Sequence, residues 1–465
     1  MKYWCLVLSF VSFASLAGAP SLHASERLVD RATMHTLSAL PRGHSLRLQA
    51  FPVGPEQVAS IRFTRVPIYA DDAHIYVTTA SGKIEVPRSD RIFFRGYSDD
   101  GSARVALSLQ ADARFAEGNG DGPQGPFALK ASANADGSFV FNAVPLESTL
   151  PSPDAFSFQC GNESMALGGL HAKDLATRLH LATSANTAAA TAAVSSSLRY
   201  ATVAIDTDSL FMSRLFSNNT TNATNWIAGM FNSMNTMYEN DLQVQLLIGT
   251  TILRTNSGTD PYTGLAQNSA ANGADLNLFG SYWKTNESAV SRSFAILLSG
   301  AIASSSNSCS AAGIAWIDEY CQNGFTSGSN TVGSYSVNKV CTSINVDPNG
   351  SFDARIVGHE IGHNFGASHT HCTDVSTGNA PVATNTIDTC YNGEGTFGCY
   401  AGSTLSCPAG GHGSIMSYCN VTGCGTQNLL QFHSTQINQV LLPRISANTP
   451  SCLSATDVIF ADGFQ

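Results

Sequence analysis

The run His359-Glu360-Ile361-Gly362-His363-Asn364-Phe365-Gly366-Ala367-Ser368-His369 leaves the backbone few paths. On an α-helix, His359 and His363 stand one turn apart, about 6 Å along the axis, and both rings leave the same face. Glu360 is then carried beside that pair of rings. Gly366 can adopt a positive φ, which ends the helix and turns the chain so that His369 approaches the same point from a third direction. Three imidazoles with a fourth position open match a catalytic zinc site, since structural sites close all four positions. Asp353 is the expected N-cap of this helix, and Ile356, Val357 and Ile361 its inward face. His371 alternates with His369 across Thr370, but the glycine-to-histidine spacing favours His369 as ligand. His412, in a glycine-rich loop, reads as a residue near the cleft.

This pattern resembles the metzincin metallopeptidases, and Ser414-Ile415-Met416-Ser417-Tyr418 resembles their Met-turn. The resemblance implies one Zn2+ held by His359, His363 and His369, with Glu360 as general base and Met416 as an apolar floor beneath the metal. It also implies an α/β (α+β) catalytic domain with a mixed twisted sheet and a zinc-binding helix. The stretch His363 to Ala367, and Gly313-Ile314-Ala315-Trp316-Ile317 followed by Cys321, are similar to the reprolysin-like (adamalysin) branch. In that branch such an edge strand binds extended peptide by strand addition; the same residues also read as an ordinary buried strand. Thr370 stands where that branch commonly has Asp. Tyr418 matches a position where the astacin and serralysin branches carry a tyrosine that can contact zinc or the oxyanion. It is therefore read either as a phenol donor to developing charge or as a packed structural tyrosine.

Residues 1–24 read as a signal peptide: Lys2 precedes an apolar run from Trp4 to Leu16, shorter than the roughly 20 residues that span a bilayer. Residues 25–180 read as a β-rich region, with alternation at Val105, Leu107 and Leu109 and at Phe139 and Phe141, and turn signals at Asp99-Asp100-Gly101 and Asp136-Gly137. Its Phe94-Arg95-Gly96-Tyr97 segment is similar to reprolysin propeptides. Residues 181–197 are low-complexity Ala, Ser and Thr, a linker. Residues 198–452 alternate strands and helices, with a helix at Asn222 to Leu242, as expected of the metalloprotease domain; 453–465 form a tail.

With Cys5 assigned to the signal peptide, eleven cysteines remain, ten of them after residue 300 and Cys160 alone upstream. An odd number in an exported chain leaves one thiol outside the disulfides. Either the ten form five disulfides and Cys160 is that thiol, or Cys160 pairs with one of the ten. Cys160-Gly161 resembles the cysteine switch of matrixin and reprolysin zymogens, where a propeptide thiolate fills the open position on zinc.

From residue 198 onward there are 8 basic and 17 acidic side chains, which excludes electrostatic binding of nucleic acid. The expected function is a secreted zinc endopeptidase made as a latent precursor. Its partners are protein or peptide substrates and its own propeptide as inhibitor, with no nucleic acid and no membrane. The alternative is a secreted binding or adhesion protein that keeps the metzincin fold with little activity, against which Glu360 speaks. No calcium site is readable.

Overall fold

The computed structural model describes residues 26–110, 114–149, 156–161, 198–267, 269–301, 309–342, 345–425, 427–448 and 451–454. The expected signal peptide, the linker and all but the first two residues of the tail lie outside these. In chain order the strands are β1 (Glu26–Val29), β2 (Ser45–Gly54), β3 (Gln57–Val66), β4 (Ile75–Thr79), β5 (Gly82–Val86), β6 (Ile92–Ser98), β7 (Arg104–Leu109), β8 (Ala116–Gly122) and β9 (Gly125–Ala133). They continue as β10 (Phe139–Pro145), β11 (Phe156–Cys160), β12 (Arg199–Thr207), β13 (Val244–Arg254), β14 (Phe294–Ser299), β15 (Cys309–Ala315), β16 (Phe325–Ser327), β17 (Asn330–Val332) and β18 (Tyr335–Lys339). The helices are α1 (Arg31–Ala39), α2 (Thr220–Leu242), α3 (Gly273–Asn286), α4 (Asp353–Asn364) and α5 (Leu442–Ala447).

One sheet, in the order β1-β10-β9-β8-β7-β6-β3-β2, is antiparallel throughout. Its turns follow local chemistry. Gly101 and Gly137 take positive φ, while Asp100 and Asp136 accept from the backbone N–H two residues on. Alternate residues of its strands, among them Phe51, Phe63, Phe94, Phe127 and Phe141, close on Met34 and Leu37 of α1.

The second sheet runs β11-β15-β18-β14-β12-β13-β4-β5. Its central strands are buried on both faces and read as near-continuous apolar runs, as parallel strands between helical layers do. Val203 and Ile205 of β12, with Phe294, Ile296 and Leu298 of β14, face α2 and α4; Ala204, Ala295 and Leu297 face Leu276, Phe279 and Trp283 of α3. Asn272 and Asp275 form a capping box that starts α3, and the Asn219 side chain caps α2.

Three strands from the first 160 residues belong to this second sheet. The β4–β5 hairpin extends it beyond β13, and β11 extends it beyond β15, so the β-rich region supplies both outer ends of the other sheet. α2 lies between the two sheets and is buried nearly all round. Its apolar stripe of Ile227, Met230, Phe231, Met234 and Tyr238 enters the core. Its polar side is docked rather than solvated: Asn232 donates to Phe94 O and Leu107 O, Asn119 donates to the Ser233 hydroxyl, and Glu239 pairs with Arg95. Further pairs across this boundary are Arg104–Asp241 (2.8 Å), Lys83–Glu287 (2.6 Å) and Arg355–Asp121 (2.6 Å). Arg95, Arg104 and Lys83 of the N-terminal region thus meet acidic groups beyond residue 198, and Arg355 meets Asp121 in the opposite sense.

Candidate metal centre

α4 carries His359, Glu360 and His363, all fully buried. Asp353 does not cap it. The residue ahead of the helix is Phe352, without a side-chain cap, and Asp353 is the first helical residue. Its carboxylate accepts instead from Cys341 N (3.4 Å), Thr342 N (3.1 Å) and the Thr342 hydroxyl, tying α4 to the segment after β18. Burial pushes this carboxyl up to about 7 against those hydrogen bonds. Ahead of the helix, Asp347 accepts from Phe352 N (2.7 Å) and the Ser351 hydroxyl (2.9 Å).

The helix ends at Asn364, whose side chain donates to Trp316 O (2.8 Å) and Tyr335 O (3.2 Å). Gly366 has φ 111°, and Ala367 N bonds back to Gly362 O (3.0 Å), which turns His369 towards the helical pair. Each histidine presents Nδ1 to an oxygen acceptor: His359 to Ile415 O (2.8 Å), His363 to Ala367 O (2.7 Å) and His369 to Glu394 Oε2 (2.8 Å). Hydrogen on Nδ1 leaves a lone pair on every Nε2. His363 Nε2 and His369 Nε2 stand 3.2 Å apart. Two lone pairs so close repel, and a cation that both ligate relieves the conflict.

Cys160 Sγ completes the group, 3.6 Å from His363 Nε2 and 3.8 Å from Glu360 Oε2. One ligand atom from each of Cys160, His359, His363 and His369 lies within 4.8 Å of the others. Burial and the neighbouring rings hold His359 well below the usual imidazole value and bring His363 down to about 3, so both are in the neutral, metal-ligating form. The residues therefore fit a metal ion.

Glu360 stands beside this group. Burial pushes its carboxyl well above the usual range, against a hydrogen bond from the Cys160 thiol. It fits under β15 because residue 313 is glycine: a Cβ there would fall inside the Glu360 carboxylate. Met416 is fully buried, and a Cβ on Gly362 would come within 2.7 Å of its Sδ, so a bare helix face lets the methionine turn press against α4. Tyr418 accepts from Cys160 N (3.0 Å) and donates to Cys160 O (3.2 Å), and its ring lies 4.5 Å from that of His369. The phenol thus grips the backbone of the cysteine-bearing strand.

Sequence reasoning missed Glu394, which meets both His369 and His371 (Nε2, 2.7 Å). Burial opposes its ionisation, but the charge and hydrogen bonds of His369 and His371 prevail and hold the carboxyl below the usual range. One signal was available: Glu394 is the only glutamate after Glu360. His371 is directed at this carboxylate, and His412 packs against Gly125 at the β8–β9 turn.

Around the centre, Cys372–Cys399, Cys390–Cys419, Cys407–Cys424 and Cys321–Cys452 form disulfides, and Cys341 is disulfide-bonded too. The side chain of Cys309 lies outside the described residues, and Cys160 keeps its thiol. Among the described residues, no helix is long and apolar enough to cross a membrane.

A family model described as metallo-peptidase family M12 matches residues 197–432. The chain is a reprolysin-like member of that family. The match spans β12 through the methionine turn, so the helix with its two histidines, His369 and Met416 all fall inside the M12 region. No curated protein matches the chain. A solved structure entitled "Structure of a chaperone-substrate complex" contains a similar chain, 13% identical, covering 49% of this chain and 35% of that one, with a TM-score of 0.25. At that score the likeness carries no weight here.

Proposed function

We propose that this M12 chain is a secreted zinc endopeptidase made as a latent precursor, with residues 25–180 as its inhibitory propeptide. The observation that carries the reading is the convergence of Cys160 with His359, His363 and His369, beside Glu360. In the latent form the Cys160 thiolate would be the fourth ligand, a mixed nitrogen and sulfur set that suits zinc. In the active form the three imidazoles would hold the ion, which supplies a Lewis acid and lowers the pKa of a bound water from ~16 toward ~7.

The remaining chemistry belongs to the chain. Glu360, acting as the carboxylate, can accept a proton from the attacking water and pass it to the departing amine nitrogen, and burial raises its affinity for that proton. β15 offers main-chain groups to an extended peptide, and β11 occupies that place in the latent form, running parallel to β15 with Cys160 opposite Gly313. Departure of β11 therefore opens the peptide-binding edge and removes the thiol in one movement. It also releases the Tyr418 phenol from the Cys160 backbone, as a donor to the tetrahedral oxyanion. The disulfides fit an oxidising, extracellular destination.

Replacing Glu360 with Ala in the processed chain should leave one bound zinc and abolish casein hydrolysis. Retained hydrolysis would exclude Glu360 as the base, and a parent chain without zinc would remove the reading as a whole.

A further inference from the structure

The three histidines are not supported alike. His359 and His363 lean on backbone carbonyls of Ile415 and Ala367, whereas His369 leans on a side chain, Glu394, from a loop of its own. Glu394 Oε2 accepts from His369 Nδ1 at 2.8 Å and from His371 Nε2 at 2.7 Å, and all three residues are buried. The two rings are stacked, with centroids 5.4 Å apart and planes 19° from parallel. The Cys372–Cys399 disulfide closes the loop that carries Glu394, and Tyr400 N bonds to His371 O at 2.9 Å, so the loop is fastened at the very residues Glu394 serves.

We propose that Glu394, steadied by His371 and by the Cys372–Cys399 loop, is the positioning residue for the third metal ligand. The inference rests on the zinc reading above. His369 follows the helix end and has no helical frame to orient its ring. A carboxylate on Nδ1 fixes the tautomer that leaves Nε2 for the metal, sets the ring plane and makes the imidazole more basic. It also places one negative charge next to three neutral ligands and a dication, which a backbone carbonyl does not. His371, stacked beside His369, gives the same carboxylate oxygen a second hydrogen bond, which restrains the carboxylate where His369 needs it.

The experiment uses the full chain and zinc ions, with affinity read by competition against a chromophoric chelator. Replacing Glu394 with Ala is expected to weaken zinc binding about 10- to 100-fold. Glu394→Gln, which keeps an acceptor oxygen but not the charge, is expected to recover most of that loss. In the zinc-loaded Ala variant, the slowly exchanging Nδ1–H signal of His369 should vanish from the imidazole 15N–1H spectrum, while those of His359 and His363 persist. A merely structural role would lower the metal-free melting temperature and leave affinity and spectrum alone. Affinity of the Ala variant within threefold of the parent overturns the proposal. Should that variant not fold, His371→Gln carries the test: several-fold weaker zinc binding supports the proposal, and unchanged binding overturns it. A parent chain that takes up no zinc removes the metal reading itself, whereas a parent that binds with unaltered variants removes only the positioning role.

Discussion

Gly313→Ala is the sharpest test of how the site is built. The added methyl would meet Oε1, Cγ and Cδ of Glu360 closer than any real Cβ contact. Neither partner can retreat easily. Residue 313 is paired with Asn338 of β18, a pairing that does not depend on β11, and Glu360 is fully buried on α4. Overpacking of this kind costs about 1–3 kcal/mol. The softest response is rotation of the Glu360 side chain, which moves the base while leaving the three imidazoles where they are. A general base contributes about 10²–10⁴-fold in rate. A loss near 10²-fold corresponds to about 2.7 kcal/mol, within the strain available. The processed variant should therefore show kcat reduced by roughly two orders of magnitude, with full zinc content and a modest fall in melting temperature. Peptide hydrolysis measured beside metal analysis decides it. A fully loaded variant with kcat within threefold of the parent would refute the clearance argument.

Cys160→Ser leaves β11 on β15 but removes the sulfur, so the cobalt-substituted uncut precursor should lose its thiolate-to-metal charge-transfer absorption; an unchanged spectrum counts against the thiol as fourth ligand. Asp121→Ala leaves Arg355 with Ser351 O and Asn428 O but no charge partner. Loss of a buried partner costs about 3 kcal/mol or more, so a stability change below 1 kcal/mol in urea unfolding would refute the importance of this contact. Glu117 of β8 is buried beside Arg91, and burial raises its carboxyl from 4.5 to about 7 against the pull of that arginine. Between those values the folded chain holds a proton that the unfolded chain has released, so stability falls as pH rises through the window, by about 3 kcal/mol in all. Glu117→Gln should flatten that part of the stability profile, and identical urea midpoints versus pH in both proteins would refute it.

The helix, its Gly366 ending and the return of His369 were legible because one local rule, the 3.6-residue period followed by a positive φ, governs all of them. The cap was misread for a physical reason. Asp353 is buried against 341–342, and a buried carboxylate serves whichever donors are buried with it, which no local pattern records. α2 shows the same limit. Its helical period is visible in the sequence, but no local pattern shows that Asn232, Ser233 and Glu239 on its polar side meet the N-terminal sheet. Membership of β4, β5 and β11 in the second sheet was hidden because strand pairing is non-local. Glu394 was hidden because a disulfide loop brings it to His369 from 25 residues away.

The two outer ends of the second sheet also impose an order in time. Thr78 of β4 meets Thr255 across 177 residues, and Cys160 meets Glu360 across 200. At about 5–20 residues per second of synthesis, β4 waits roughly 10–35 s for its neighbour. Pairings this distant fold slowly, because the loop must close before any contact rewards it. On the processing proposed above, loss of the N-terminal strands leaves the M12 region, should it unfold, without the strands it was assembled against. Its working life would then be set by how slowly it opens, a clock started at cleavage rather than an equilibrium.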